Sequence, residues 1–304
     1  MSKVIFVSSA DSNYFPLLAE LVHSIRRHPE SAGMDIGILN AGMNERELDY
    51  LRAQGCIVKE AEWPVKFPAS KIKGKDYLKS CICRPFLPDY FPGYETICWM
   101  DADTWIQRWD VIPQFLGAAQ SGKIALTAQA DRSSLRPIRV QWLGPFPLKV
   151  KGFYMGNARG AFGMGMAKKL MPYSPLLAGM FALRSDAPHW KRWQEILLKA
   201  LEKGKIFTAE QLSLGIMCYL ENYPYDILPG WMHWLCTYPT HWDEQSQMFT
   251  EPFTPHEKLG VLHLSGVDKM REDREETMEF QTAVGGVTKK SFRYPYFDGS
   301  KIFD

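Results

Sequence analysis

Glu95-Thr96-Ile97-Cys98-Trp99-Met100-Asp101-Ala102-Asp103-Thr104-Trp105-Ile106 decides how the chain is read. An apolar run ends in two carboxylates spaced i, i+2, and in an extended backbone that spacing aims both side chains to one face. Two like charges held there repel each other unless a cation stands between them. Oxygen donors suit a hard divalent ion, and Mg²⁺ or Mn²⁺ keeps open positions for substrate phosphates. Asp-x-Asp also occurs in solvated strand-end turns, so its meaning depends on its surroundings.

Upstream of the pair, strands and helices alternate. Val4–Ser8 is an apolar run that suits a buried strand, and Leu17, Leu18, Leu21, Val22 and Ile25 recur at helical spacing until His28-Pro29. Ile36–Leu39 is a second strand. Asn44 with Glu47 three residues on is a capping box for a helix that Gly55 closes, and Ile57-Val58 is a third strand. A helix is expected over Tyr77–Leu87 and strands at Ile97–Met100 and Ile124–Ala128. This order implies an α/β fold with a mostly parallel sheet, Rossmann-like, and with ligands at the carboxyl ends of its strands. The two carboxylates fall at such an end.

From 131 to 175 the pattern dissolves. Ser133-Ser134, Pro137, Gly144-Pro145, Pro147 and five glycines between Gly152 and Gly165 predict an irregular segment, either an acceptor-side loop or a flexible insertion. Beyond it, helices are expected over Trp190–Leu201 and from Glu210 to about Leu220. Gly260–Gly266 reads as a short strand running into a small-residue turn, and the tail after Met270 is expected to pack along the surface. With no repeat or linker, residues 1–304 read as a single domain.

Composition narrows the function. An apolar content of 46% and a charged content of 23% are those of an ordinary globular protein, and a net charge of +2 argues against a nucleic-acid protein, whose phosphate contacts need a basic face. The six cysteines form no C-x-x-C pair, which predicts buried reduced thiols. The N-terminus shows no secretory leader and no run reaches a membrane span. The expected location is the cytoplasm, with peripheral membrane contact and oligomeric state left open.

Four further features belong with Asp101 and Asp103. Ala10-Asp11-Ser12-Asn13-Tyr14 follows the first strand: small residues admit a flat ligand, Asp11 suits a base or ribose, and Tyr14 offers a stacking face, although Asp, Ser and Asn also cap helices. Arg84 has the planar guanidinium that holds a phosphate or a carboxylate, against the commoner solvated surface arginine. Glu210-Gln211 is expected to open a helix, where the dipole favours a carboxylate in any case. His263-Leu264-Ser265-Gly266 with Lys269 combines an imidazole for a metal with a cation for a departing phosphate, while a lone histidine is more often structural.

Together these pieces resemble a glycosyltransferase of the GT-A fold, most like the family 8 retaining enzymes that include glycogenin and bacterial lipopolysaccharide galactosyltransferases. The matching segments run in the family's order. They are the 10–14 turn, Arg84-Pro85-Phe86-Leu87-Pro88, Met100-Asp101-Ala102-Asp103-Thr104, Leu177-Ala178-Gly179, Glu210-Gln211, and His263 to Gly266 with Lys269. The resemblance implies that Asp101, Asp103 and His263 hold Mn²⁺ or Mg²⁺, and that Ala10, Asp11 and Asn13 contact the uridine of a UDP-sugar. It implies that Arg84, Gly266 and Lys269 serve the donor and its diphosphate, and that Glu210 and Gln211 flank the anomeric carbon. A carbohydrate or other hydroxyl compound would be the acceptor. Leu177 stands where the family has Asn, Leu212 where it has Asp, and Met270 in place of Pro-Trp, so donor sugar and stereochemistry stay open. The rival readings are an inverting GT-A transferase and a non-catalytic nucleotide-sugar or glycan-binding protein of the same fold. A haloacid-dehalogenase-like phosphatase is set aside, since it needs its Asp-x-Asp on the first strand.

Overall fold

The computed structural model describes residues 3–67, 72, 74–130, 132–136, 138–282 and 284–296. Met1, Ser2 and Pro137 of the sequence reading, and the tail beyond Tyr296, lie outside the described residues.

Strands β1 (Val4–Ala10), β2 (Asp35–Asn40), β3 (Cys56–Glu60), β4 (Thr96–Met100), β5 (Thr104–Ile106) and β6 (Ile124–Ala128) carry the N-terminal half. They are followed by β7 (Ile138–Leu143), β8 (Phe146–Gly152), β9 (Leu176–Arg184) and β10 (Tyr225–Leu228). The central sheet has the order β10-β6-β9-β4-β1-β2-β3. Only β9 runs antiparallel to its neighbours, β4 and β6, so the expected mostly parallel sheet is what forms.

Period-2 alternation explains why this sheet is buried on both faces. Along β1 and β4, Ile5, Val7, Ile97 and Trp99 point to one core, while Val4, Phe6, Cys98 and Met100 point to the other. Helix Phe15–Arg26 covers the second face with Leu18, Leu21, Val22 and Ile25. Helix His189–Lys203 covers the first with Trp193, Ile196, Leu197 and Ala200. The capping box at Asn44 and Glu47 forms in full. All six cysteines are free thiols, five of them buried.

Three expectations change. The segment 131–175 is not irregular: β7 and β8 make a two-stranded hairpin, and helices Phe153–Phe162 and Met164–Leu170 follow. Its glycines act mainly at element ends, with Gly144 (φ +57°) in the hairpin turn and Gly163 (φ +88°) between the helices. The tail after Met270 is built into the fold. Strands β11 (His233–Leu235), β12 (His241–Asp243), β13 (Met248–Thr250), β14 (Val261–His263), β15 (Met278–Thr282) and β16 (Val287–Lys290) make two further small sheets. Around them Trp105, Trp234, Phe249, Phe280, Phe292 and Tyr294 form a third core. Finally, Tyr77–Leu87 divides into helix Leu78–Ile82 and a 3₁₀ turn, Arg84–Phe86.

Candidate metal and donor site

Strand β4 lies mid-sheet and delivers Asp101 at its carboxyl end. Asp101 continues the face of Trp99, whose indole Nε1 donates to Asp101 Oδ1 at 2.8 Å. The step to Asp103 is different from the extended spacing expected. Thr104 closes a tight turn by donating its amide (3.0 Å) and its hydroxyl (2.7 Å) to the Asp101 carbonyl. A turn, rather than strand alternation, brings the two carboxylates together. The chain returns as β5, which pairs antiparallel with β14 so that Thr104 lies opposite His263. Leu264 N then donates to Asp103 O at 2.8 Å. Three side chains from two distant segments thus place one ligand atom each within 4.8 Å of the others.

The outer oxygens of both carboxylates are already taken. Asp101 Oδ1 accepts from Arg84 Nη2 at 2.5 Å as well as from Trp99, and Asp103 Oδ2 accepts from Arg271 Nη1 at 3.2 Å. The inner oxygens converge on His263 Nε2, at 3.8 Å from Asp101 Oδ2 and 3.3 Å from Asp103 Oδ1. Space is made for this triangle by Gly179 on β9. A Cβ there would lie 2.5 Å from His263 Cε1 and 3.0 Å from Asp101 Oδ2. Two carboxylate oxygens and one imidazole nitrogen, with their other polar atoms anchored, fit a divalent cation.

The imidazole is anchored from behind. His263 Nδ1 lies 3.0 Å from His233 Nε2, and His233 Nδ1 lies 3.0 Å from Thr127 Oγ1. Burial, and then the neighbouring His263, push the His233 pKa well below its usual value, so His233 is neutral. With His263 Nε2 turned to the carboxylates as a metal ligand, His263 Nδ1–H would donate to His233 Nε2 and His233 Nδ1–H to Thr127 Oγ1. Burial works against charge on His263, but Asp103 and Asp101 outweigh it and raise its pKa. Burial would raise Asp103, yet His263 and Arg271 hold it down at about 2.

On the other side of Asp101, Arg84 reaches Glu210 Oε2 through Nη1 at 2.8 Å. Its side chain is mostly shielded from solvent, with 12% exposed. Burial opposes this charge as well, and Asp101 and Glu210 together raise the Arg84 pKa nonetheless. Glu210 lies in the middle of helix Ile206–Gly215 instead of opening it, because the helix starts four residues earlier, after the extended Lys205. The helix-dipole rationale for this carboxylate therefore falls, and burial takes its place. Burial pushes the Glu210 pKa up to about 7 against the pull of Arg84, and its Oε1 has no hydrogen-bond partner among the described residues. Gln211 Nε2 donates to Leu176 O at 2.7 Å, tying the helix to β9.

At the end of β1, Asp11 does part of a turn's work. Its carboxylate accepts from Tyr14 N and Asn13 Nδ2, both at 3.1 Å. Ala10 is buried and Asn13 is exposed. The Tyr14 ring lies 5.8 Å from the Arg271 guanidinium, which links this turn to Asp103. Gly266 (φ +79°) packs against Thr237 in the turn after β14. Lys269 is exposed on helix Asp268–Glu272, and the cation of that helix that reaches the cluster is Arg271. Arg271, His233 and Gly179's steric role went unread in sequence; only the neighbourhood of Lys269 hinted at the first.

Residues 5–113 match the family model described as glycosyl transferase family 8. Among solved structures the chain is similar to the bifunctional glycosyltransferase WbbM in its apo form, at 15% identity over 87% of this chain and 46% of that one, with a TM-score of 0.53. It is also similar to the galactosyltransferase LgtC in complex with donor and acceptor sugar analogues, at 14% identity over 86% and 87%, TM-score 0.49. Mouse xyloside xylosyltransferase 1 in its apo form matches at 12% identity over 88% and 98%, TM-score 0.48. The chain has the GT-A fold of these glycosyltransferases.

The chain spans about half the length of WbbM. No curated protein matches it in sequence. The family match takes in Asp11, Arg84, Asp101 and Asp103. His263, Glu210, Gln211 and Lys269 lie beyond it, and the fold of this GT-A chain brings the first two to the same cluster. Among the described residues no helix is long and apolar enough to cross a membrane.

Proposed function

We propose that the chain moves a hexose from a UDP-sugar to a hydroxyl acceptor with retention of configuration, at a site built on Asp101, Asp103 and His263. The observation that supports this best is the convergence of Asp101 Oδ2, Asp103 Oδ1 and His263 Nε2 while every other polar atom of the three side chains is engaged. Those three atoms would hold Mn²⁺ or Mg²⁺, which supplies positive charge for the diphosphate of the leaving nucleotide.

The remaining work falls to the chain. Ala10, Asp11 and Asn13, at the end of β1, are assigned to the uridine, with the Tyr14 ring as a stacking face. Arg271 and Lys269, with Gly266, are assigned to the diphosphate. Preorganised cations beside a departing phosphate cost no reorganisation during the reaction. Arg84 pairs with both Asp101 and Glu210, so that Glu210 and Gln211 frame the sugar side of the site. Front-face attack, with the leaving phosphate accepting the acceptor's proton, asks for no protein nucleophile.

The test is UDP release from a panel of UDP-sugars with Mn²⁺, with EDTA and Asp103→Asn as controls and the product anomer read by NMR. Metal-dependent release from one donor, lost in Asp103→Asn, with a retained anomer is expected. An inverted anomer would refute the stereochemistry. Full activity of Asp103→Asn, or of the wild type in EDTA, would refute the site.

A further inference from the structure

The hairpin β7–β8 has an apolar tip and a basic stem. Its tip, Trp142-Leu143-Gly144-Pro145-Phe146-Pro147-Leu148, contains no ionisable side chain. Trp142 is 60% exposed, Leu143 67% and Phe146 72%, and neither strand pairs with any other among the described residues. A contiguous apolar surface of this kind on a soluble fold marks a contact site.

The stem carries one sign of charge. Arg139 lies directly opposite Lys151, and Lys149 faces Gln141 two pairs nearer the tip. Like charges set opposite each other destabilise a hairpin in water. Neither Arg139, Lys149 nor Lys151 makes an ion pair with a described residue, and all three are exposed. The bias extends along the chain. Residues 132–185 hold nine Lys and Arg and no Asp or Glu, in a protein whose totals are 36 and 34, so the rest of the chain is net acidic.

We infer that this hairpin docks the protein on an anionic lipid surface. The layering matches a bilayer interface: Trp142, Leu143, Phe146 and Leu148 would enter the acyl boundary, while Arg139, Lys149 and Lys151 remain at headgroup level. Headgroup charge relieves the Arg139–Lys151 repulsion, and hydrocarbon covers the tip. A water-soluble polyanion would answer the cations but leave the apolar tip wet. The hairpin is also tied to the site. β8 runs into helix Phe153–Phe162, whose Asn157 accepts from Thr208 at 2.9 Å on the helix that carries Glu210.

Vesicle flotation tests this without turnover, so its outcome is independent of the proposed activity. Wild-type protein, a tip variant (Trp142→Ser with Phe146→Ser and Leu148→Ser) and a stem variant (Arg139→Gln with Lys149→Gln and Lys151→Gln) are floated with phosphatidylcholine vesicles, with and without phosphatidylglycerol. Each cation near an anionic surface is worth about five-fold in affinity, so the stem variant binds about 100-fold more weakly. The tip variant loses about ten-fold or more, and neutral vesicles retain little wild-type protein. Thermal midpoints stay at the wild-type value because the changed residues are exposed. Failure of the wild type to float with anionic vesicles overturns the inference. So does a tip variant that binds like wild type, or a tip-dependent dimer in sedimentation without vesicle binding.

Discussion

Gly179→Ala is the sharpest probe of the cluster's geometry. The backbone of Gly179 lies on β9 outside the left-handed region, so alanine meets no conformational obstacle, and the effect is steric. Its Cβ would lie 2.5 Å from His263 Cε1 and 2.8 Å from Nδ1, where ordinary contact begins at 3.4 Å. The imidazole must therefore retreat by about 1 Å, the shortfall from ordinary van der Waals contact. Retreat is blocked, because His263 is stacked on His233 with ring centroids 5.1 Å apart and is hydrogen-bonded to it. Overpacking of this kind costs about 1–3 kcal/mol, which lowers the thermal midpoint of the metal-free protein by a few degrees. A displaced ligand should weaken Mn²⁺ binding by about 10–100-fold, as loss of a supporting partner does. Titration of free Mn²⁺ by electron paramagnetic resonance reads the affinity, and calorimetry reads the stability. Gly117→Ala is the control: a Cβ there meets nothing within 4 Å, in helix Ile112–Gln120, and should stabilise by about 0.5–1 kcal/mol. Wild-type Mn²⁺ affinity and midpoint in Gly179→Ala would refute the placement of His263 over Gly179.

Two further outcomes follow from buried partners. His233→Phe removes the hydrogen-bond partner of His263 Nδ1, so Mn²⁺ affinity should fall about 10–100-fold; isothermal titration that returns the wild-type constant would show that His233 plays no part in orienting the ligand. For Glu210, the folded pKa is raised from 4.5 to about 7, so the folded state holds the proton more tightly than the unfolded chain. Below pH 4.5 both states are protonated and burial costs nothing; between pH 4.5 and 7 the unfolded chain ionises while the buried carboxyl keeps its proton, and stability falls by on the order of 3 kcal/mol. Glu210→Gln lacks that loss, so its stability relative to wild type should improve across this window in urea unfolding. Parallel pH profiles for the two proteins would show that Glu210 is not held neutral by burial.

Much of the frame was legible because it rests on local pattern. The apolar runs of β1 and β4 and the capping box at Asn44 are written in neighbouring residues, and the structure contains them as expected. Asp101 and Asp103 were legible as a pair, although the turn closed by Thr104 does what extended spacing was expected to do. The hairpin at 138–152 is hidden in the sequence because its glycine and proline density points to an irregular loop, whereas Gly144 makes the turn between two strands. His233 and Arg271 were out of reach for another reason. His233 meets His263 only through the parallel pairing of β11 and β14, and Arg271 meets Asp103 across 168 residues. No short-range signal encodes such contacts. Glu210 was found, but with the wrong cause: a helix dipole was expected where burial and Arg84 set its state.

The central claim is that Asp101, Asp103 and His263 form one divalent-metal site. The most direct measurement is pulsed electron paramagnetic resonance on the Mn²⁺-loaded protein, wild type and His263→Gln, with and without UDP. One coupled histidine nitrogen that vanishes in His263→Gln, together with phosphorus coupling when UDP is added, is the predicted result. Mn²⁺ bound without nitrogen coupling, or with a coupling that survives His263→Gln, would contradict it.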